Sequence, residues 1–187
     1  PSTSHRRFRI GTSDYLATVL FTRLIPLMQR IAPYVTMELV QPSDALLTAL
    51  DQGDLDLVIT PAEHLSPEHP SDLLFEERHV VAGWNENPLF HRPLTEDGFL
   101  SAGHVAVEIG RLRPTSFAEK FLRAAGKERK IEVLVSSFSI APEMLIGTNR
   151  LAVMHERLAR NIAEARLGGS QKNRDKITAS GKMLVRE

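Results

Sequence analysis

In the N-terminal third of the chain, apolar residues recur with two different spacings. A spacing of two residues indicates strands, and steps of three and four indicate helices. Phe8 and Ile10 alternate with polar neighbours, as in a half-buried strand. The apolar residues of segment 16–31 then recur at steps of three and four, which predicts an amphipathic helix. Pro26 lies within this helix and lacks a backbone N–H, so a kink is expected there. Alternation returns over residues 35–40 and predicts the next strand.

Segment 50–61 is typical of a helix end followed by a short buried strand. Gly53 is able to adopt the left-handed conformation that ends a helix. The apolar residues of segment 55–59 predict a strand of a parallel sheet that is covered on both faces, and Pro61 ends its pairing. Residues 8–60 therefore predict the order strand, helix, strand, helix, strand. Open α/β folds bind ligands at the carboxyl edge of such a sheet.

A second alternating unit follows a loop at residues 61–72 and a strand expected over residues 73–84. The predicted elements of this unit are strands over residues 104–109, 131–135 and 151–154, a helix opening at residues 115–117, and a helix through residue 146 capped by Ser137 or Ser139. The side chains expected to face inward from the first of these helices are Phe117, Phe121 and Leu122. Two α/β units make a cleft between them a natural ligand site.

Composition narrows the possible functions. With 42% hydrophobic residues the chain of 187 residues can bury a core, and its formal net charge of zero provides no global basic field for nucleic acid. Cysteine is absent, which excludes disulfides and thiolate metal sites and suits a cytoplasmic protein. No apolar run approaches the roughly 20 residues that a membrane helix needs. Residues 1–7 lack the apolar centre of a signal peptide, so we expect a cytoplasmic domain without membrane contact.

Several segments stand in an order that resembles one known family. These segments are Phe8-Arg9-Ile10, Leu24-Ile25-Pro26-Leu27-Met28, Ala32-Pro33 and residues 50–59. Together they are similar to the effector-binding domain of LysR-type transcriptional regulators, over roughly residues 8–165. Within that family, further segments resemble the nodulation-gene regulators and the salicylate-type aromatic sensors. These further segments are residues 75–80, 103–107, 137–139 and 147–151.

The resemblance implies an α/β fold with two Rossmann-like subdomains, as in periplasmic binding proteins, joined by two crossover strands. We expect one subdomain to comprise residues 8–78 with residues 158–187, and the other to comprise residues 80–156. The implied ligand is a small aromatic or phenolic inducer, flavonoid- or salicylate-like, bound between them. The resemblance also implies a homodimer, a tetramer at full length, no catalysis and no cofactor. DNA contact is expected only through a winged helix-turn-helix in front of this chain.

The C-terminal part departs from the family pattern. Family members continue after the position of Arg166 with a Pro-rich strand that returns to the first subdomain, followed by a terminal helix. Here Gly168-Gly169-Ser170 stands at that place, and residues 157–187 hold eight Lys or Arg against three Asp or Glu. The sequence therefore lacks the pattern of the second crossover and of any ligand contact made by it.

Two serines that precede predicted helices are candidate ligand contacts. Ser13 and Asp14 lie where the first strand meets a helix N-terminus, and free N–H groups there favour an anion. The family places a small hydroxyl residue at Ser13, so ligand contact and a plain cap both stay open for it. Asp14 is expected to be a cap, because its own charge would repel an anion. Ser43 heads the second helix in the same way, with capping as its alternative role.

The remaining candidates are two histidines, a phenylalanine and an arginine. His79 matches the position of a histidine that meets the inducer in the salicylate-type sensors, and imidazole is able to donate to a phenolate or carboxylate. His104 begins a strand in a Gly-His-Val setting that recurs in this subgroup. Phe138 is suited to stack on an aromatic ligand, and Arg157 to pair with a carboxylate. A structural role stays open for each of the four.

Other functions share the expected two-lobed shape. A solute-binding protein of an uptake system has this fold, and the absent signal peptide argues against it. An enzyme would need paired acid and base residues, and no nucleophile elbow or phosphate loop occurs in the sequence. His64 and His69 lie near Glu63 and Glu68 but lack the spacing of a metal site, so no metal is expected. The sequence favours a ligand-sensing regulatory domain.

Overall fold

The N-terminal part of the chain forms a parallel β-sheet. The computed structural model describes residues 3–109 and 117–166. The three strands of this sheet pair in the order β2–β1–β3, so β1 lies in the middle. The strands are β1 (Arg7–Gly11), β2 (Thr36–Val40) and β3 (Leu57–Val58). The helical segments are α1 (Asp14–Leu16), a π-helical segment (Ala17–Phe21), α2 (Thr22–Ile31) and α3 (Leu46–Asp51).

The helix predicted after β1 is present as a continuous run over residues 14–31. Ser13 begins it by accepting a hydrogen bond from the Leu16 N–H at 3.4 Å. The side chains that the first two turns bury are Tyr15, Leu16, Val19 and Phe21. Pro26 lies inside α2, and the π-helical segment precedes it. The turn that departs from α-helical geometry is therefore upstream of the proline.

Strand β3 is shorter and more open than the sequence predicts. Only two residues form it, and Leu57 is 49% exposed, so the prediction of a strand covered on both faces is wrong. β3 lies at the edge of the described sheet, which leaves the Leu57 side chain open to solvent. Leu55 is buried instead, close to Gly11. A Cβ on Gly11 would lie 2.6 Å from Leu46 Cδ1 and 3.2 Å from Leu55 Cδ1, so a residue without a side chain suits this position.

The second β-sheet has four strands in the order β4–β7–β5–β6. β4 runs antiparallel to β7, whereas β5 pairs in parallel with β7 and β6. The strands are β4 (His79–Gly83), β5 (Gly103–Val107), β6 (Lys130–Val135) and β7 (Leu151–His155). The helices are α4 (Glu96–Ser101), α5 (Phe117–Ala124), α6 (Glu156–Arg166) and 3-10 helices at Ala62–His64, Pro88–Phe90 and Ala141–Leu145. Two separate sheets agree with the predicted α/β class.

Helix α5 faces the core with a narrower stripe than predicted. Phe121 is 66% exposed, so its predicted inward orientation is wrong. Ala118 and Leu122, four residues apart on one helix face, are the buried pair. The predicted opening residues at 115–116, and the side chain of Phe117, lie outside the described part of the chain.

Two further local predictions are corrected. Ser137 and Ser139 do not cap a helix, because the 3-10 helix Ala141–Leu145 begins after Ile140 without a side-chain cap. Their hydrogen bonds go to the first unit instead. The strand predicted over residues 73–84 pairs only over β4.

One buried cluster joins the two units. Its members are Tyr15, Leu16 and Val19 from the first helix, Met154 from β7 and Leu158 from α6. A second cluster, inside the second unit, contains Val105, Ala141, Leu145 and Ala152. The first cluster therefore couples the packing of both sheets. The predicted subdomain boundaries stay a prediction, and residues 167–187, with the predicted terminal helix, lie outside the described residues.

Candidate functional site

The start of the first helix meets the second unit through Asp14. Its carboxylate accepts a hydrogen bond from Ser137 Oγ at 2.6 Å, from the Ser139 N–H at 2.7 Å and from the Phe138 N–H at 3.2 Å. Burial works to raise the pKa of Asp14, but these hydrogen bonds outweigh it and hold the pKa below its usual value. The charged carboxylate therefore bridges two segments that are far apart in the sequence.

Four rings lie next to this bridge and form the ring cluster, made of Tyr15, His79, Phe138 and His155. The Tyr15 and His155 rings stack with centroids 3.8 Å apart and planes inclined by 6°. Phe138 meets His155 edge-on at 4.8 Å, and His79 lies 4.9 Å from His155. His79 and His155 are register partners in β4 and β7, so the pairing of these strands places them side by side. The ring cluster draws on both units.

His155 at the centre of the ring cluster is held neutral. Burial lowers the pKa of His155 to about 4, and the positive charge of His79 acts in the same direction. Its Nδ1 atom is buried and has no hydrogen-bond partner within the described part of the chain. Buried polar atoms without a partner are uncommon in folded proteins, and Thr12 Oγ1 and Asn87 Nδ2 are in the same state. A ligand hydroxyl is able to be that partner, as donor or acceptor according to the imidazole tautomer.

Polar groups just before β4 and at the start of α6 hold Tyr15 in place. The Tyr15 hydroxyl donates to Glu77 Oε2, and Arg157 Nη1 donates to the same atom at 3.2 Å and to the Glu76 carbonyl at 2.7 Å. The Arg157 guanidinium also lies 4.4 Å from the centroid of the Phe75 ring. Burial and the bond to Glu77 raise the pKa of Tyr15, so its hydroxyl stays protonated. The ring cluster is thus anchored to the segment before β4 and to the first turn of α6.

One cavity lies beside the polar groups that hold Tyr15, and a second lies further away. A cavity of about 150 Å³ opens between the segment before β4 and the start of α6, and is lined by Glu76, Glu77, Arg78, Glu156, Arg157 and Arg160. A second, of about 320 Å³, lies at the opposite end of the second sheet and is lined by Asn87, Pro88, Leu89, Gly98, Ser101, Ala102, Gly103 and Asn149. Neither lining includes a member of the ring cluster.

The chain resembles known regulators along nearly all of its length. The model of the LysR substrate binding domain matches residues 2–168. The chain belongs to the LysR substrate-binding domain family. The resemblance drawn from the sequence motifs is therefore confirmed, and so is the α/β fold with two units. Because this family consists of transcriptional regulators, the prediction of a domain without enzymatic activity is confirmed as well.

Comparison with individual proteins places this LysR effector-binding domain near the nodulation regulators. Nodulation protein D 2 of Bradyrhizobium elkanii is 40% identical over 161 residues, which cover 86% of this chain and 49% of that protein. The chain spans about half the length of the curated relatives it matches. A probable transcriptional regulator from Pseudomonas aeruginosa has a solved structure with 26% identity and a TM-score of 0.76, covering 88% of this chain and 56% of that one.

A more distant likeness is one of fold alone. The effector binding domain of BenM, solved with its effector benzoate, is 18% identical with a TM-score of 0.62 and covers 85% of this chain and 73% of that one.

The LysR domain brings some predicted site residues together. His79 and Phe138 belong to the ring cluster. Arg157 lies outside the cluster, but it donates to Glu77, which also accepts from the Tyr15 hydroxyl of the cluster. Ser13 caps the first helix next to the Asp14 bridge.

Ser43 and His104 lie outside this group. The residue that caps α3 is Ala45, not Ser43, and Ser43 is exposed. His104 is fully buried inside the second unit, where Nε2 bonds to the Phe99 carbonyl at 2.8 Å and Nδ1 lies 3.3 Å from Arg129 Nη1. Burial lowers the pKa of His104, so it is a neutral core histidine.

Sequence reasoning missed the other members of the site. Tyr15 and His155 were not singled out, and Asp14 was expected only to cap a helix. The available signal was position, because Asp14 and Tyr15 follow β1 and His155 ends β7, at carboxyl ends of parallel strands. In the described residues no group of three potential metal ligands occurs, and no helix there is long and apolar enough to cross a membrane. His64 pairs with Glu63 at 3.5 Å.

Proposed function

We propose that the ring cluster is the binding site of a small aromatic or phenolic inducer. The observation that carries this proposal is the buried Nδ1 of His155, which lacks a partner among the described residues, on a ring that stacks on Tyr15 and meets Phe138 edge-on. A planar ligand would stack on these rings, and its hydroxyl would bond to the imidazole. BenM gives support at the level of the fold, because it was solved with the aromatic effector benzoate.

The position of the ring cluster explains how such a ligand would act. Tyr15 belongs to the first unit, whereas His79, Phe138 and His155 belong to the strands and loop of the second. A ligand held among them favours one separation of the two units over another, which shifts a pre-existing equilibrium without making or breaking a covalent bond. In the whole regulator, which we place in the cytoplasm, this shift would reach DNA through a helix-turn-helix outside this chain.

Replacing His155 by phenylalanine is expected to weaken the binding of phenolic compounds by about 1–3 kcal/mol, because the ligand hydroxyl loses its partner while the ring surface is kept. Thermal-shift and calorimetric titrations with a flavanone, salicylamide, amino acids and sugars would measure this. The control is His91→Phe, at an exposed position outside the ring cluster. Stabilisation by amino acids or sugars alone, or equal phenolic affinity in both variants, would contradict the proposal.

We also propose that the domain forms a homodimer through α2, within a tetramer at full length. Ile25, Leu27 and Ile31 of α2 are between 42% and 50% exposed, and such a row of apolar side chains is typical of an interface. Sedimentation velocity is expected to show a dimer fraction that grows with concentration and decreases in Ile25→Glu. Leu74→Glu, at an exposed position outside any helix, is the control. A monomer at every concentration would refute this proposal.

A further inference from the structure

Residues 137–139 form a cradle of hydrogen-bond donors, here called the 137–139 cradle. Ser137 contributes its hydroxyl, and Phe138 and Ser139 contribute consecutive backbone N–H groups. All three point at one place, at donor–acceptor distances of 2.6, 3.2 and 2.7 Å from the oxygens of a single carboxylate. Consecutive backbone N–H groups that converge in this way form an anion-binding concavity. The cradle therefore has the chemistry of a carboxylate site.

The carboxylate that fills the cradle is part of the chain itself. Asp14 lies in the other unit, more than a hundred residues away in the sequence, and reaches the cradle from the first turn of α1. Because Asp14 is tethered to the same chain, its binding to the cradle is intramolecular, and a free carboxylate has to compete with it. Both oxygens of Asp14 are engaged, since Oδ2 accepts from Ser137 and Ser139 and Oδ1 accepts from Phe138.

The cradle is next to the ring cluster, because Phe138 belongs to both. A carboxylate on an aromatic ligand would meet the negative charge of Asp14 instead of free donors. Like charges at such short range oppose each other strongly where water is partly excluded. An uncharged aromatic ligand meets no such opposition.

We propose that Asp14 is a built-in occupant of the 137–139 cradle, and that it makes the neighbouring ring cluster select uncharged aromatic ligands over aromatic carboxylates. The occupation of the cradle by Asp14 is argued from the three hydrogen bonds alone. The second part, on selectivity, rests on the function proposed above.

The substitution Asp14→Gly removes the carboxylate from the cradle and leaves its donors free. Formate, the smallest carboxylate, is the probe for these donors. In this variant, sodium formate is expected to raise the melting temperature with increasing concentration, compared with sodium chloride at equal ionic strength. Wild type is expected to show no such difference, because its cradle is filled. If Asp14→Gly folds only poorly, formate is expected to raise the yield of folded protein on refolding.

The matched control is Asp97→Gly. Asp97 is an exposed aspartate in the first turn of α4, so this change makes the same substitution at the start of another helix. It should lower stability without creating a response to formate. Equal effects of formate on all three proteins, or no effect on Asp14→Gly, would overturn the proposal that Asp14 occupies the 137–139 cradle.

Selectivity is tested with benzoate and benzamide, which share a ring and differ in charge. Wild type is expected to bind benzamide about tenfold or more tightly than benzoate, and Asp14→Asn is expected to lose this preference. Equal binding of both compounds by wild type would overturn the selectivity. Rescue by formate without binding of either aromatic compound would retain the built-in occupant and count against the proposed function alone.

Discussion

Replacing Leu158 by alanine is expected to lower the free energy of unfolding by about 2–5 kcal/mol. Leu158 is 0% exposed and packs in the cluster that joins the two units, with Tyr15, Val19 and Met154. Its truncation removes buried methyl groups and leaves a cavity that the surrounding strand and helix cannot close fully. Because the cluster draws on both units, the loss is expected to lower the stability of the whole domain in one transition.

Urea denaturation followed by circular dichroism measures this loss. The control is Leu74→Ala, because Leu74 is 59% exposed and its truncation is expected to change the free energy by less than about 0.5 kcal/mol. A loss for Leu158→Ala of the same size as the control would contradict the role of this cluster. Two separate transitions would instead show that the two units unfold independently.

The sequence predicts those features that short segments determine by themselves. Gly53 was expected to end a helix, and its φ angle of 74° places it in the left-handed region. The periodicity of residues 16–31 predicted the long helix, and alternation predicted strands close to β1, β2, β5, β6 and β7. In each case the local pattern and the tertiary structure favour the same conformation.

Predictions failed where a partner distant in sequence decides the outcome. Ser137 and Ser139 have the local chemistry of helix caps, but Asp14 takes their hydrogen bonds. The apolar run at 55–59 suits a buried strand, but its length and cover depend on neighbouring strands that the run does not specify. The spacing of apolar and polar residues in one sequence does not show which distant segments pair with each other.

The candidate site was predicted in part for the same reason. His79 and Phe138 were identified through the family resemblance, and both lie in the ring cluster. His155 was missed although it lies one residue beyond the predicted strand 151–154. Its importance arises from stacking on Tyr15 and from its pairing with His79 across β7 and β4. Both contacts join segments that are far apart along the chain.

Replacing Arg129 by methionine is expected to lower the free energy of unfolding by about 3–5 kcal/mol. The Arg129 side chain is 2% exposed, its Nε donates to Glu119 Oε1 at 2.6 Å, and its Nη1 lies 3.3 Å from His104 Nδ1. Because a guanidinium only donates, His104 accepts at Nδ1 and donates from Nε2 to the Phe99 carbonyl. Methionine keeps an apolar stem but removes the charge that faces Glu119 and the donor that faces His104.

A double variant separates the charge from the packing at the Arg129–Glu119 pair, in which only the Arg129 side chain is buried. Adding Glu119→Gln to Arg129→Met is expected to restore part of the lost stability, because it removes the negative charge that faces the Arg129 guanidinium in the wild type. The control is Arg160→Met, which breaks the exposed pair with Glu156 and is expected to cost less than about 0.5 kcal/mol. Urea denaturation of wild type, Glu119→Gln, Arg129→Met and the double variant measures the cycle, and Arg160→Met is measured beside them. A cost of Arg129→Met no larger than that of Arg160→Met would contradict the stabilising role of the Arg129–Glu119 pair.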